Sequence, residues 1–111
     1  MAESFDVMGR LLGTTVKLTT TDASVLLTEA LEEALALTPN WPAVKAVTIT
    51  CEDNDARIAF GADAVQGASA LGHVLADGGS LRLPSSSMIR EARIISKTAG
   101  SAAVLMVTVE G

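Results

Sequence analysis

The chain has one histidine, His73, and one cysteine, Cys51, which sets a low ceiling on the chemistry it can perform. A metal site of the cupin kind needs several imidazoles or carboxylates converging from adjacent strands, and a lone imidazole cannot supply them. His73 therefore reads as a structural or surface residue. Cys51 ends an apolar run, where a small buried hydrophobe is the ordinary role, and a single cysteine leaves no intrachain disulfide framework. A reactive thiol would need a base beside it, and the only imidazole is distant in sequence. No Gly-x-Ser-x-Gly elbow is present to seat a serine nucleophile. The residues point away from an enzyme, and no cofactor is expected.

Glu52, Asp53 and Asp55 flank Asn54 and crowd hard oxygen ligands together, which is what calcium prefers. The order of an EF-hand loop is missing, so an ordinary acidic turn is the simpler account. A weak cation site shared between subunits is its rival. Gly61 and the Gly78-Gly79 pair lead into no helix, so nucleotide fingerprints fail. Left-handed turn positions explain these glycines better. Arg90 and Arg93, with Glu91 between them, either solvate a strand face or pair across an interface.

These groups must be carried by a small frame. A chain of 111 residues is one domain with one core, spanning 1–111. It is 49% hydrophobic and only 19% charged, an apolar balance for a small chain whose surface has to be covered. An oligomer that hides part of that surface is the expectation, a trimer being one option. Thirteen acidic against eight basic side chains give a net charge of -5, and the basic ones are scattered from Arg10 to Lys97. Backbone binding to nucleic acid needs them clustered, and Phe5, Trp41 and Phe60 offer little stacking surface for single strands. No nucleic-acid partner is expected. The first six residues lack the basic and apolar regions of a secretory signal, and no run approaches the roughly 18 apolar residues of a membrane span. A soluble product made in the cytoplasm follows, with no membrane partner.

Along the chain, residues 1–13 show no period and read as an N-terminal arm. Thr14 to Thr20 alternates, with Val16 and Leu18 on one face, and predicts a half-buried strand. Beyond Asp22 and Ser24, either of which can cap a helix, Leu27, Leu31, Ala34 and Leu35 return at helical spacing, with Glu29, Glu32 and Glu33 facing water. The helix is predicted at about 24–37, ended by the segment containing Pro39 and Pro42. Its apolar face would close an open edge of a sandwich. Val44 to Cys51 is a strand with Val47, Ile49 and Cys51 inward, and Arg57 to Phe60 is expected to return antiparallel to it after the 52–55 turn.

Residues 61–71 show neither period and read as a long surface loop suited to a partner. Gly72 to Leu83 reads as two apolar arms about a tight turn, a hairpin. A short turn at 86–89 and a strand at 91–97 reconcile Ile89 with the Ile94-Ile95 pair. The final run, Ala102 to Val109, is apolar on both faces, with Val104 and Met106 on the second. Such a strand belongs in the middle of a sheet that is covered twice, by its own core and by the helix or a second copy.

The runs Arg57 to Gly61, Gly72 to Leu83, Ile89 to Ile95 and Ala103 to Glu110 resemble, in strand pattern and turn chemistry, small β-sandwich proteins encoded among the virion genes of tailed bacteriophages and prophages. The resemblance covers residues from about 43 to 110. It implies a non-enzymatic structural role on or near the capsid, as a decoration or an auxiliary head or tail component. It implies too that the protein is made in the host cytoplasm, ends in the virion, and has copies of itself and other virion proteins as partners.

The fold expected is all-β, a small antiparallel β-sandwich of about seven strands with one inserted helix, jelly-roll-like winding being one option. The contact residues expected are Val104, Met106, Arg90, Arg93, Val65 and Leu71, with the 84–88 loop and the arm beside them. A carbohydrate-binding sandwich is the second reading; it would need a concave surface bearing Trp41 beside carboxylates. A cupin-type metalloenzyme centred on His73 is the third.

Overall fold

Alternating apolar and polar side chains lay down eight strands within residues 14–110, the part of the chain that the computed structural model describes. In order they are β1 (Thr15–Thr19), β2 (Val25–Leu26), β3 (Ala46–Asp53), β4 (Ala56–Phe60), β5 (His73–Leu75), β6 (Ser80–Leu83), β7 (Ala92–Ser96) and β8 (Val104–Glu110). Two helices interrupt them, α1 (Leu27–Leu35) and α2 (Ser86–Glu91). The arm expected at 1–13 lies outside the described residues.

The strands form two four-stranded sheets, one in the order β1-β8-β3-β6 (sheet A) and one in the order β2-β7-β4-β5 (sheet B). Every pairing is antiparallel. First pairs with last, second with seventh, third with sixth and fourth with fifth. That nesting is a single long hairpin wound over itself, which is a jelly roll. The expected sandwich with one long helix is therefore present, with eight strands where about seven were expected.

The winding overturns two local expectations. Gly72 to Leu83 is not a hairpin, because β5 pairs with β4 in sheet B and β6 pairs with β3 in sheet A. Its turn, closed by Gly79 N–H donating to the Ala76 carbonyl at 2.7 Å, carries the chain between sheets. Likewise β4 does not return beside β3. Asn54, with φ of 57°, turns the chain across the core into the other sheet. In both places the apolar arms and turn residues are those of a hairpin, and only partners distant in sequence decide otherwise.

The core lies between the sheets. Leu18, Val47, Ile49, Cys51, Leu105, Val107 and Val109 enter it from sheet A, and Ala56, Ile58, Leu75 and Ile94 from sheet B. Helix α1 adds Leu27 and Leu31, both fully buried, each stabilising by roughly 1.5–3 kcal/mol. It packs on β1 of one sheet and on β2 and β7 of the other, so it closes that edge within the subunit, as its apolar stripe requires. Ala34, expected on that stripe, is exposed.

The helix is shorter than predicted because its first turn is lost to a ladder. Val25 and Leu26 pair with Ile94 and Arg93, and neither Asp22 nor Ser24 caps the helix. Ser24 Oγ accepts from Ala64 N–H at 3.0 Å, and Asp22 takes Gly100 N–H at 3.1 Å and Gln66 Nε2 at 3.2 Å. At the other end Ala36, with φ of 57°, stops the helix before either proline. Ala36 N–H reaches the Glu33 carbonyl and Leu37 N–H that of Glu32, each at 3.3 Å, a Schellman arrangement built on alanine. Ser85 does cap α2, its Oγ accepting from Met88 N–H at 3.2 Å. The turn expected at 86–89 runs on to Glu91, and β7 follows at once.

Candidate interaction surfaces

Three of the residues first considered for chemistry are engaged in holding the fold. Cys51 is fully buried, with its Sγ–H donating to the Asn54 carbonyl at 2.9 Å. Burial pushes its thiol pKa up, and the carboxylates of Asp77, Asp55 and Asp53 push the same way against a backbone hydrogen bond at Asp53. Asp55 accepts from Asp77 N–H at 2.8 Å and pairs with Lys97 at 3.6 Å. Trp41 is buried, and its indole Nε1–H donates to Glu32 at 2.7 Å. Glu32 thus turns from water to a partner, a correction to the solvent-facing role its spacing predicts.

His73 is exposed on β5, its ring centroid 6.4 Å from that of Phe60. Glu52 and Asp53 are exposed at the end of β3. Among the described residues no three of His, Cys, Asp and Glu stand together in a way that could hold a metal ion. No described helix is long and apolar enough to cross a membrane.

The outward face of sheet A is where strand alternation leaves apolar groups beside water. Opposite the buried Leu105, Val107 and Val109, β8 turns out Val104, Met106 and Thr108, all half-buried. The register sets Thr15, Thr108, Thr48 and Arg82 in one row and Lys17, Met106, Thr50 and Ser80 in the next. Thr15 and Thr108 share a hydroxyl hydrogen bond of 2.8 Å. Glu110 accepts from Thr48 at 2.9 Å and from two nitrogens of Arg82 at 3.3 Å, which hold its carboxyl below the usual range. The central strand is where the two-sided apolar pattern of 102–109 places it. No described element covers its second face, since α1 lies at the sandwich edge.

The remaining expected contact residues lie around sheet B. Residues 61–71 fold onto its outward face, where Ala64 is buried with Ala59 and Ile95. Val65 and Leu71 bridge each other through backbone hydrogen bonds of 3.0 and 3.1 Å and stay 38% and 49% exposed. Arg93 reaches Asp63 at 3.6 Å, whereas Arg90, on α2, bonds the Ser86 carbonyl at 3.4 Å. So the six residues do not form one surface: Val104 and Met106 are on sheet A, and Val65, Leu71 and Arg93 are on the side of sheet B.

The chain matches no protein-family model, no curated protein and no solved structure. The case for a function rests on its residues and their geometry.

One exposed apolar residue escaped the sequence reading. Val74, in β5, is 46% exposed and pairs with Arg57 on the outward side of sheet B. Alternation with the inward Leu75 is the available signal, and the hairpin expected over 72–83 hides it. Gly72 lets β5 approach β4 here: with φ of +127°, a Cβ on it would lie 3.1 Å from the Ile58 carbonyl oxygen. Its own carbonyl accepts from Arg57 Nη1 at 3.0 Å.

Proposed function

We propose that this protein is a non-enzymatic structural subunit of a bacteriophage or prophage virion, a capsid decoration or auxiliary head or tail component that works by binding copies of itself and neighbouring virion proteins. The observation that carries the reading is the outward face of sheet A. Met106 sits half-buried between Lys17 and Thr50 on β8, an inner strand, and Val104 lies half-buried at the start of the same strand, with no described element over them. Apolar groups among hydroxyls, with the charges of Lys17 and Arg82 on the two edge strands, are what a subunit contact buries inside a polar rim. The setting comes from the likeness of residues 43–110 to small virion sandwiches, and with it synthesis in the host cytoplasm and residence in the virion.

A jelly roll serves viral capsid domains, lectins and cupins alike, so architecture alone does not choose among them. Sugar recognition would need an aromatic platform, and Trp41, the residue on which that reading depended, is buried against Glu32. A cupin-type centre would need ligands gathered around His73, which lies exposed beside Phe60. The assembly reading uses the residues where they are found.

Light scattering on the purified chain tests it. Wild type is expected to run as an oligomer, and the paired change Val104→Lys with Met106→Lys to run at a lower mass with unchanged circular dichroism. A strictly monomeric wild type at high concentration overturns the reading. Mass spectrometry of particles purified from the producing cells tests the virion setting, which fails if the protein is missing from them.

A further inference from the structure

Sheet edges offer unpaired backbone N–H and C=O groups to any other strand, and soluble proteins usually blunt them with charge, proline or cover. Three of the four edges here follow that practice. β1 carries the exposed Lys17; β2 has two residues and runs straight into α1; β6 carries the exposed Arg82 and is followed by Pro84. β5, with the sequence His73-Val74-Leu75, has neither a charged side chain nor a proline. No described strand pairs with its outer side.

The same edge gathers exposed apolar surface. Of the four large hydrophobic residues exposed among the described residues, three are Val65, Leu71 and Val74, and only Met88 lies elsewhere. Val74 is on β5, Leu71 two residues before it, and Val65 is bridged to Leu71. The open edge and the apolar patch coincide.

We propose that β5 is a homodimer contact, in which the strand pairs antiparallel with β5 of a second copy about a two-fold axis at Val74. The inference rests on the reading above that the protein works as assembled copies, and it names a second surface, apart from the face of sheet A. A second copy fits because the strand is self-complementary. The axis sets Val74 against Val74 and His73 against Leu75, so no charged residue of the strand meets its like. The nearest acid along the chain, Asp77, lies three residues past the axis in each copy. Asp77 lies beyond the end of β5, in the turn that carries the chain towards sheet A, so neither carboxylate enters the ladder. Two sheets B would join into one of eight strands.

Three residues of ladder are too few alone. A stable contact covers about 800 Å² on each partner, roughly a seventh of the 5825 Å² this chain exposes. The 61–71 loop has to join it, and Val65 and Leu71 are the apolar groups it brings. The contact so defined is a ladder at the centre with an apolar flank on the outward side of sheet B.

Two variants test the pairing, with light scattering, sedimentation and non-reducing electrophoresis as readouts. Val74→Cys is expected to give a disulfide-linked dimer on mild oxidation, because opposed Cβ atoms lie about 4.5–5.5 Å apart in such a pair, close to disulfide reach; Cys51 is buried. Val74→Lys places two ammonium groups on the axis and is expected to raise the dimer dissociation constant about 30-fold or more, the cost of losing one hot-spot residue. Val74 is half in water already, and the circular dichroism of both variants checks that they fold. If wild type assembles while Val74→Cys stays unlinked and Val74→Lys leaves the mass unchanged, the β5 pairing is overturned and the assembly reading stands on sheet A. If wild type is monomeric throughout, both fall.

Discussion

Thr20 Oγ1 lies 2.7 Å from Ser96 Oγ, a hydroxyl pair sealed in the interior where the chain leaves β1 and where β7 ends. Thr20 also accepts from Ala103 N–H at 2.8 Å and returns its own N–H to the Ala103 carbonyl at 2.9 Å. Ser96 N–H donates to the Thr21 carbonyl at 2.9 Å, and Gln66 Nε2 donates to the Ser96 carbonyl at 2.7 Å. The cluster ties the β1 end of sheet A to the β7 end of sheet B. Thr20→Val keeps the side-chain shape but leaves the buried Ala103 N–H without an acceptor and the Ser96 hydroxyl without its partner. Urea denaturation is expected to show a loss of about 1–3 kcal/mol, and Ser96→Ala a smaller one. A Thr20→Val variant as stable as wild type would mean that this cluster does not hold the sheets.

Ala36 ends α1 in a left-handed conformation that costs an L-residue with a Cβ roughly 1–2 kcal/mol. Glycine meets no such cost there, although it gives up more entropy on folding. Ala36→Gly is therefore expected to raise stability by about 0.5–1 kcal/mol, with a melting temperature up by a few degrees. Thermal unfolding followed by circular dichroism measures it, and a lower melting temperature would contradict the cap geometry.

Trp41 is the only tryptophan, so its fluorescence reports the contact between α1 and the turn that follows. Trp41→Phe removes the indole donor and leaves the Glu32 carboxylate without it; a cost of about 1–3 kcal/mol is expected. Glu32→Gln keeps an acceptor for the indole and should cost less. In wild type the emission is expected to shift to longer wavelength at the same urea concentration at which the circular dichroism is lost. A shift at markedly lower urea would show that this corner opens by itself.

Among the described residues, two shifted groups act at opposite ends of the pH scale. Burial raises the Cys51 pKa above a thiol's ordinary 9.0, so the folded state holds that proton more tightly than the unfolded one. Its contribution is complete below pH 9.0 and is lost as pH rises beyond it. Glu110, held down by Arg82 and then by Thr48 from the ordinary 4.5, contributes above that value and loses its contribution as pH falls below it. Urea midpoints across pH are expected to fall on both flanks. Thr48→Val with Arg82→Ala should flatten the acid flank alone, and an unchanged acid flank would count against the Glu110 pairing.

Much of this architecture was legible where period and burial coincide. The alternation in 14–20, in 44–51 and in 102–109 located β1, β3 and β8, and the inward sets Val47, Ile49, Cys51 and Leu105, Val107, Val109 are the core. What the sequence could not show was partnership. The residues at 72–83 satisfy every local condition for a hairpin, yet β6 pairs with β3, about thirty residues earlier along the chain. Capping failed for a related reason, since Asp22 and Ser24 have the right chemistry for a helix but meet Gly100, Gln66 and Ala64 first. Of the expected contact residues, Val104 and Met106 were legible from the two-sided pattern of one strand. Val74 was concealed by the mistaken pairing of its arm.

Of the six strand pairings, only β4 with β5 joins consecutive strands. β8 is the central partner of both β1 and β3, and it emerges from the ribosome after the seven strands before it. Until then β1 has no partner strand and β3 has only β6, and at synthesis rates of about 5–20 residues per second β1 waits for seconds. The newborn chain thus spends its first moments with sticky flanks uncovered, and its soluble yield is expected to rise when holding chaperones are supplied in excess.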